Sequence, residues 1–308
     1  MASRPGRLGV GVVGAGRVGA VLGSALRAAG HAVVGASGIS EDSKERIATL
    51  LAGVPHLDVP EIVERSELVL LTVPDDELAG VVAGIAATGG WQSGQLVAHT
   101  AGAHGVEILA PALAAGAIPL AIHPAMTFTG TSLDLARLVG CSFAVTAPNV
   151  VLPIAQALVV EMGGEPVVVA EADRPRYHAA LAHGANHLVT LATQAMRTLE
   201  SIGIEEPGKV LGPLLNAALD GTLRGGERAL TGPVMRGDVS TVQTHALELA
   251  KMGGEEASLS DISAGYRAMA RITVQRALAT GKITVDTAQR LLDVLNGEDP
   301  TGSEGNET

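Results

Sequence analysis

The sequence predicts an α/β fold, in which a Rossmann-type, doubly wound and mainly parallel sheet is followed by an all-α C-terminal domain. Two observations lead to this prediction. Short apolar strand patterns alternate with helical stretches up to residue 170, and the pattern beyond it is helical almost throughout. We therefore expect a sheet domain at residues 1–170, a helical domain at 171–297 and a disordered tail at 298–308, which is acidic and has no apolar anchors.

The first strand leads into a glycine-rich turn. Val10–Val13 is a β-branched run, and Gly14, Gly16 and Gly19 follow at GxGxxG spacing as a helix begins. Gly14 permits the turn, Gly16 lets the backbone approach a pyrophosphate, and Gly19 lets the helix pack close to the strand. A flavin, S-adenosylmethionine or a packing turn without ligand would use the same glycines. The predicted dinucleotide contacts in this turn are Gly14, Ala15, Gly16, Arg17, Val18 and Gly19.

The end of the second strand bears on the choice of cofactor. An NAD site usually has Asp or Glu here, but this strand ends in Ser37, Gly38, Ile39 and Ser40, with Ser43, Lys44 and Arg46 close behind. Hydroxyls and cations suit a 2′-phosphate, so NADP is favoured over NAD. We therefore expect Ser37 and Ser40 to bind the cofactor, although Ser40 could simply cap a helix.

Four predicted strands end in glycine-rich or polar stretches. Ligands of doubly wound sheets collect at the carboxyl ends of strands, so these ends predict a cleft. We expect Val73, Pro74 and Thr100 to contact the cofactor there, and Asp75 to begin a helix. The four ends are Gly14–Gly19, Thr72–Asp76, His99–Gly102 and His123–Phe128.

Composition narrows the class of partners. The net charge of −11 and the absence of Lys or Arg blocks argue against a nucleic-acid surface. No apolar signal core precedes the first strand, and the apolar run Leu68–Val73 is too short to span a bilayer, so we expect a cytoplasmic protein without membrane association. A single cysteine, Cys141, excludes an intrachain disulfide and fits a reducing compartment.

Six stretches of the chain resemble the bacterial family that joins a Rossmann-like domain to a helical C-terminal domain of unknown function. The architecture is similar to that of pyrroline-5-carboxylate reductases, β-hydroxyacid dehydrogenases and ketopantoate reductases, which often dimerise through the helical domain. The resemblance implies an NADP-dependent oxidoreductase that reduces a small keto- or imino-carboxylate and forms a homodimer. Ketopantoate is one alternative substrate. The stretches are Gly14–Gly19, Thr72–Asp76, His99–Gly102, His123–Phe128, Tyr177–Ala180 with Asn186, and Ala229–Asp238.

Two departures from these relatives matter. Gly38 and Ile39 stand where relatives often have Arg, which weakens the preference for NADP. β-Hydroxyacid dehydrogenases have a catalytic Lys four residues before the helix Asn, but Ala182 is four residues before Asn186. Their lysine mechanism therefore cannot be transferred, and a non-catalytic dinucleotide sensor or interaction protein remains the rival hypothesis.

His123 is the leading candidate for the proton donor. It lies at a strand end, an imidazole titrates near neutral pH, and the His-Pro pair is similar to prephenate dehydrogenases, whose histidine there contacts the reacting hydroxyl. The alternative is that His123 only hydrogen-bonds a turn before Pro124. His99, at the neighbouring strand end, is a weaker candidate.

The helical domain supplies further candidates. His183, Asn186, His187 and Thr190 share a helix face by the three-and-four rule, and Asn186 could bind the nicotinamide amide or a substrate oxygen. Two histidines four apart resemble half a zinc site, but no third ligand is evident, so no metal is predicted. Arg236 is suited to clamp a substrate carboxylate, whereas a nearby acid, Asp238, can cap a helix.

Overall fold

A computed structural model of the chain describes residues 7–297, which form two compact units that divide after Gly184. This division falls later than the predicted boundary after residue 170, and the assignment of a function to each domain stays a prediction. The predicted tail at residues 298–308 lies outside the described residues.

The first unit is built on a seven-stranded sheet of order β2-β1-β3-β4-β5-β6-β7. Adjacent strands are parallel except β5 and β6, which are antiparallel. The predicted fold class is confirmed. Because the chain crosses from β2 over β1 to β3, the topological switch point lies beside β1. The strands are β1 (Gly9–Val13), β2 (Ala32–Ser37), β3 (Leu68–Leu71), β4 (Leu96–His99), β5 (Ile118–Pro124), β6 (Ser142–Thr146) and β7 (Glu165–Val168).

Helices cover both faces of this sheet, which is why its central strands are apolar runs rather than alternating patterns. In β3, Leu68 and Leu70 pack into one core cluster with α1 and α7, while Val69 and Leu71 pack into a second cluster with α3 and α4. The helices of this unit are α1 (Arg17–Ala28), α2 (Glu41–Leu50), α3 (Val59–Arg65), α4 (Asp75–Ala87), α5 (Ala110–Ala114), α6 (Leu133–Leu138), α7 (Leu152–Glu161) and α8 (Arg174–Leu181).

Two segments of the first unit differ from the sequence prediction. The sequence Val54–Leu57 is expected to lead to a third strand position, but it forms a single parallel bridge between Ala36 and His56, where Pro55 has no N–H to extend the ladder. Asp173 as a cap and Pro175 in the first turn predict a helix that runs to about Ser201, but a π-helical turn, Ala182–Asn186, interrupts it.

The second unit is helical, as predicted. Its core lies among α11 to α14 and includes Val242, Val274 and Leu291. Neither α9 nor α10 contributes a buried apolar side chain apart from Pro207. No helix among residues 7–297 is long and apolar enough to cross a membrane. The helices are α9 (His187–Glu200), α10 (Pro207–Gly225), α11 (Pro233–Arg236), α12 (Val239–Glu255), α13 (Ser260–Ala279) and α14 (Val285–Asn296).

Candidate cofactor and active site

Two of the three motif glycines are required by the packing of the turn between β1 and α1. Gly14 has φ +87°, and a Cβ there would lie 3.0 Å from the backbone of Thr72 and Val73. A Cβ at Gly19 would overlap the Thr72 hydroxyl and lie 2.6 Å from the Gly14 carbonyl oxygen. That hydroxyl donates a hydrogen bond of 2.7 Å to the same oxygen, so β1, β3 and α1 meet at one tight point.

Gly16 differs from both, because the packing of the protein does not require it to be glycine. Its φ is −72°, and a Cβ there would meet only the Gly14 carbonyl oxygen, at 3.9 Å. Gly16 lines a cavity of about 490 Å³ at the carboxyl ends of β1, β2 and β3. The small residue therefore keeps space open in this cavity.

The N-terminus of α1 has no side-chain cap and lies at the cavity. Gly16 is the N-cap and supplies no side-chain cap, and the first turn contains no acidic residue. By contrast, Ser40, Asp238 and Thr284 cap α2, α12 and α14 with side-chain oxygens. The first-turn amides of α1 and its dipole are thus left for a bound anion such as a phosphate.

Two serines of the cavity wall, Ser37 and Ser40, lie at and just after the end of β2. Ser37 Oγ accepts a hydrogen bond from the Gly14 amide at 3.3 Å, and Ser40 Oγ accepts one from the Ser43 amide at 3.1 Å. The cations expected beside them are absent from the cavity wall, because Lys44 pairs with Glu41, and Arg46 is oriented toward Asp42 and Gly130. Hydroxyls and loop amides, rather than a guanidinium, are available to a 2′-phosphate here.

Six of the eleven predicted cofactor residues line this cavity. Of the other five, Ala15 is buried and its amide donates to the Ser37 carbonyl oxygen, while Val18 packs against the core. Gly19 serves packing, Arg17 is exposed and lies beside Gly130, and Thr100 is in the loop after β4. The six that line it are Gly14, Gly16, Ser37, Ser40, Val73 and Pro74.

His99 ends β4 and holds the loop that follows. Its Nε2 donates to the Gly105 carbonyl oxygen at 2.7 Å, and its Nδ1 accepts from the Ala101 amide at 3.1 Å. Burial is the main reason why the pKa of His99 falls to about 4. Both ring nitrogens are used within the fold, which favours a structural role.

His123 lies on β5 at the same edge of the sheet. Its Nδ1 is 3.0 Å from the Tyr177 hydroxyl, and its Nε2 forms no hydrogen bond to the described part of the chain. Burial, followed by the nearby His178 and Arg174, lowers the pKa of His123 to about 4. The ring is therefore neutral at pH 7, which corrects the expectation that it titrates near neutrality. As a proton donor it would act through a neutral N–H.

Arg174, Tyr177 and His178 form one face of α8, at i, i+3 and i+4. Arg174 is fully buried and donates to the carbonyl oxygens of Ala121 at 2.8 Å and Ala144 at 3.1 Å. It forms no ion pair within residues 7–297. Arg174 and Tyr177 are not among the predicted site residues, although their helical spacing, together with the family-like stretch that begins at Tyr177, is a usable signal.

Gly102 keeps space open next to His123. A Cβ at Gly102 would lie 2.9 Å from His123 Nε2 and would overlap the ring of His178. The glycine is therefore required by the close approach of these two imidazoles, which are in edge-to-face contact with ring centroids 5.9 Å apart.

Four predicted site residues lie around the π-helical turn. His183, Asn186, His187 and Thr190 lie in or directly after the π-helical turn and are exposed. Among residues 7–297 no group of three or more His, Cys, Asp or Glu side chains could hold a metal ion.

Arg236 and Asp238 flank the αL residue that ends α11. Arg236 is the exposed last residue of α11, before Gly237. Asp238 caps α12 by accepting a hydrogen bond from the Thr241 amide at 3.1 Å. The role of Arg236 toward a substrate carboxylate stays a prediction.

Comparison with known proteins identifies both parts of the chain. Residues 2–124 match the model of the Rossmann-like domain, and residues 141–273 match the model of a domain of unknown function, DUF2520. The chain combines a Rossmann-like domain with a DUF2520 domain. This is the architecture that the six motif stretches predicted. A comparison with curated proteins finds no match.

Solved structures of similar fold cover nearly the whole chain. A Bacteroides fragilis protein described as an NADP oxidoreductase is 19% identical with a TM-score of 0.71, and the match covers 87% of this chain and 98% of that one. An imine reductase from Myxococcus stipitatus in complex with NADP⁺ is 17% identical with a TM-score of 0.60, covering 92% and 99%. A pyrroline carboxylate reductase from Plasmodium falciparum with NADP bound is 11% identical with a TM-score of 0.55, covering 86% and 98%. At these identities the likeness shows the fold alone.

Proposed function

We propose that the protein is an NADP-dependent oxidoreductase that reduces a small keto- or imino-carboxylate. The observation that carries this proposal is the cavity of about 490 Å³ at the uncapped N-terminus of α1, kept open by Gly16. The donor set fits a dinucleotide, since first-turn amides suit a pyrophosphate and Ser37 and Ser40 suit a ribose phosphate. When bound, the cofactor supplies a hydride.

The protein then has to orient the substrate and deliver a proton. His123 is the proposed donor, because its free Nε2 lies at the strand edge that also carries Gly14. Asn186 and His183 are proposed to orient the substrate, and Arg236 to bind its carboxylate. The NADP complexes of the imine reductase and the pyrroline carboxylate reductase support the cofactor and, through the names of these two enzymes, a C=N substrate.

The proposed enzyme is a homodimer whose interface includes α9 and α10. Among the described residues 7–297, the 19 residues of α10 bury no apolar side chain other than Pro207. Leu214 and Leu223, on different sides of this helix, are 64% and 78% exposed. An isolated helix with apolar residues on more than one side is not stable in water by itself, so a second copy of the chain is the proposed cover.

Fluorescence titration with NADPH and, separately, NADH tests the proposal. We expect saturable NADPH binding that is at least about tenfold tighter than NADH binding, since only NADPH carries the 2′-phosphate. Turnover is then sought with 2-dehydropantoate and with pyrroline-5-carboxylate. Binding without turnover of any keto or imino acid would favour a non-catalytic sensor, and absence of binding to either nucleotide would contradict the proposal.

A further inference from the structure

We propose that Tyr177 supplies the proton for the reduction through His123, and that the buried guanidinium of Arg174 stabilises the phenolate that remains. This inference rests on the proposed function and adds a proton path to it. Tyr177 is a proton-supplying residue that acts through the ring of His123 rather than on the substrate.

The hydrogen-bond geometry sets the direction of the path. The Tyr177 hydroxyl lies 3.0 Å from His123 Nδ1, and the two rings meet edge to face with centroids 5.6 Å apart. If the phenol donates to Nδ1, the neutral imidazole carries its proton on Nε2. Nε2 is the nitrogen without a partner in the described chain, and it borders the space left by Gly102.

The positive charge of Arg174 can compensate the negative charge of a Tyr177 phenolate. Arg174 is fully buried, is bonded to carbonyl and hydroxyl oxygens, and forms no ion pair with a carboxylate among residues 7–297. Such a cation raises the local positive potential. Arg174 therefore lowers the pKa of Tyr177, against the larger effect of burial, which raises it. The positive charge of Arg174 also disfavours the imidazolium form of His123. The ring therefore releases one proton as it accepts another and stays neutral.

The proposed reduction consists of one hydride addition and two proton transfers. Hydride addition to the substrate carbon leaves an electron pair on the oxygen or nitrogen of the former double bond. That atom takes the proton from His123 Nε2, and His123 Nδ1 takes the proton from the Tyr177 hydroxyl. The Tyr177 oxygen keeps the O–H electron pair as phenolate, and the histidine stays neutral with its proton on Nδ1. Water then gives a proton to Nε2 while Nδ1 returns its proton to the Tyr177 oxygen, which restores the phenol and the Nε2–H tautomer and leaves hydroxide in the solvent.

The chain contains a matched control for this pair. Tyr266, the other of the two tyrosines, has its hydroxyl 3.1 Å from His245 Nδ1, with ring centroids 5.8 Å apart. Burial alone raises the pKa of Tyr266, without an opposing arginine. The two pairs thus share their geometry and differ in the buried cation.

The tautomer of His123 gives a test that needs no substrate. In ¹⁵N NMR spectra of the wild-type protein at pH 7, we expect the His123 signals, identified by their loss in H123Q, to show the Nε2–H tautomer. Tyr177→Phe should shift His123 toward a tautomer mixture, and Tyr266→Phe should leave it unchanged. A Nδ1–H tautomer or a protonated ring in the wild-type protein would overturn the relay.

Kinetics provide the second arm. The assay uses NADPH and whichever of 2-dehydropantoate or pyrroline-5-carboxylate is turned over. Y177F should lower kcat about 10–100-fold with little change in KM or NADPH affinity. Y266F should change kcat less than about twofold. The solvent isotope effect should report two protons in the wild-type protein and one in Y177F. Normal NADPH binding with an unchanged kcat in Y177F overturns the relay alone. If the wild-type protein does not bind NADPH, the proposed function and the relay are both contradicted.

Discussion

At the scale of single residues, the motif glycines serve different purposes, and substitution can separate them. Gly16 is an N-cap whose Cβ direction is open, so Gly16→Ser should keep or raise the free energy of unfolding by a few tenths of a kcal/mol. The new hydroxyl would occupy the amides and space proposed for the pyrophosphate. NADPH affinity, measured by fluorescence titration, should therefore fall at least tenfold while the melting temperature does not.

Gly19→Ala is the matched control for that experiment. Its Cβ would overlap the Thr72 hydroxyl, so it should lower the free energy of unfolding by about 1–3 kcal/mol. Unchanged NADPH affinity in a stable Gly16→Ser protein would show that the cavity beside Gly16 is not the nucleotide site.

The buried histidines predict a stability profile with pH. His99 and His123 have pKa values of about 4 in the folded protein and near 6.5 when unfolded, so the unfolded chain binds more protons between these values. Stability should rise with pH from about 4 to 6.5 and be lost as the pH falls through that window, by up to about 3 kcal/mol per histidine. Urea unfolding of H123Q at a series of pH values should give a flatter profile than the wild-type protein; identical profiles would contradict the shift at His123.

What could be predicted at this scale was the position of a residue, not its environment. A histidine at the end of a strand predicts proximity to a cleft, and His123 indeed lies at that edge. Its pKa could not be predicted, because it depends on burial and on Arg174 and His178, which are about fifty residues away in the chain. The cations Lys44 and Arg46 were misplaced for a related reason, since sequence spacing does not reveal which way a long side chain turns.

At the scale of elements, Ser40 caps α2 and also lines the cavity, and two substitutions distinguish these roles. Asp and Asn cap helices about as well as Ser, so Ser40→Asp and Ser40→Asn should leave the melting temperature near that of the wild-type protein. Only Asp adds a negative charge beside the proposed 2′-phosphate. Ser40→Asp should therefore weaken NADPH binding much more than NADH binding, whereas Ser40→Asn should affect the binding of both nucleotides little. Equal effects of Ser40→Asp on the two nucleotides would contradict this position for the 2′-phosphate.

Elements with a clear period and a clear cap were predictable. The strand Ser142–Thr146 and the helices that begin at Pro207 and Val239 lie where the sequence predicts them. The strand is a short apolar run, and the two helices follow Pro and Asp signals. The π-helical turn Ala182–Asn186 was not predictable, because it inserts one residue into a continuous helix and a single glycine, Gly184, does not by itself indicate such an insertion. It also shifts the helical phase, so the shared face predicted from three-and-four spacing does not carry across it.

At the scale of the whole molecule, a single sequence does not predict which helices bury their apolar side chains. The apolar residues of α9 and α10 predict a core by composition alone, but these helices leave Val189, Leu214 and Leu223 mostly exposed. The core of the second unit is formed instead by α11 to α14. The apolar surface of α10 is the feature that a homodimer would explain.

We therefore expect the wild-type protein to elute as a dimer in light-scattering chromatography at micromolar concentration. The double variant Leu214→Glu and Leu223→Glu should be monomeric, because two carboxylates would be desolvated in the interface. It should also melt at a lower temperature, since dimerisation stabilises the folded state by mass action. Val160→Glu, which changes an exposed apolar residue of α7 in the first unit, is the matched control and should remain dimeric. A wild-type monomer would contradict the proposed homodimer. A double variant that stays dimeric would place the dimer interface elsewhere.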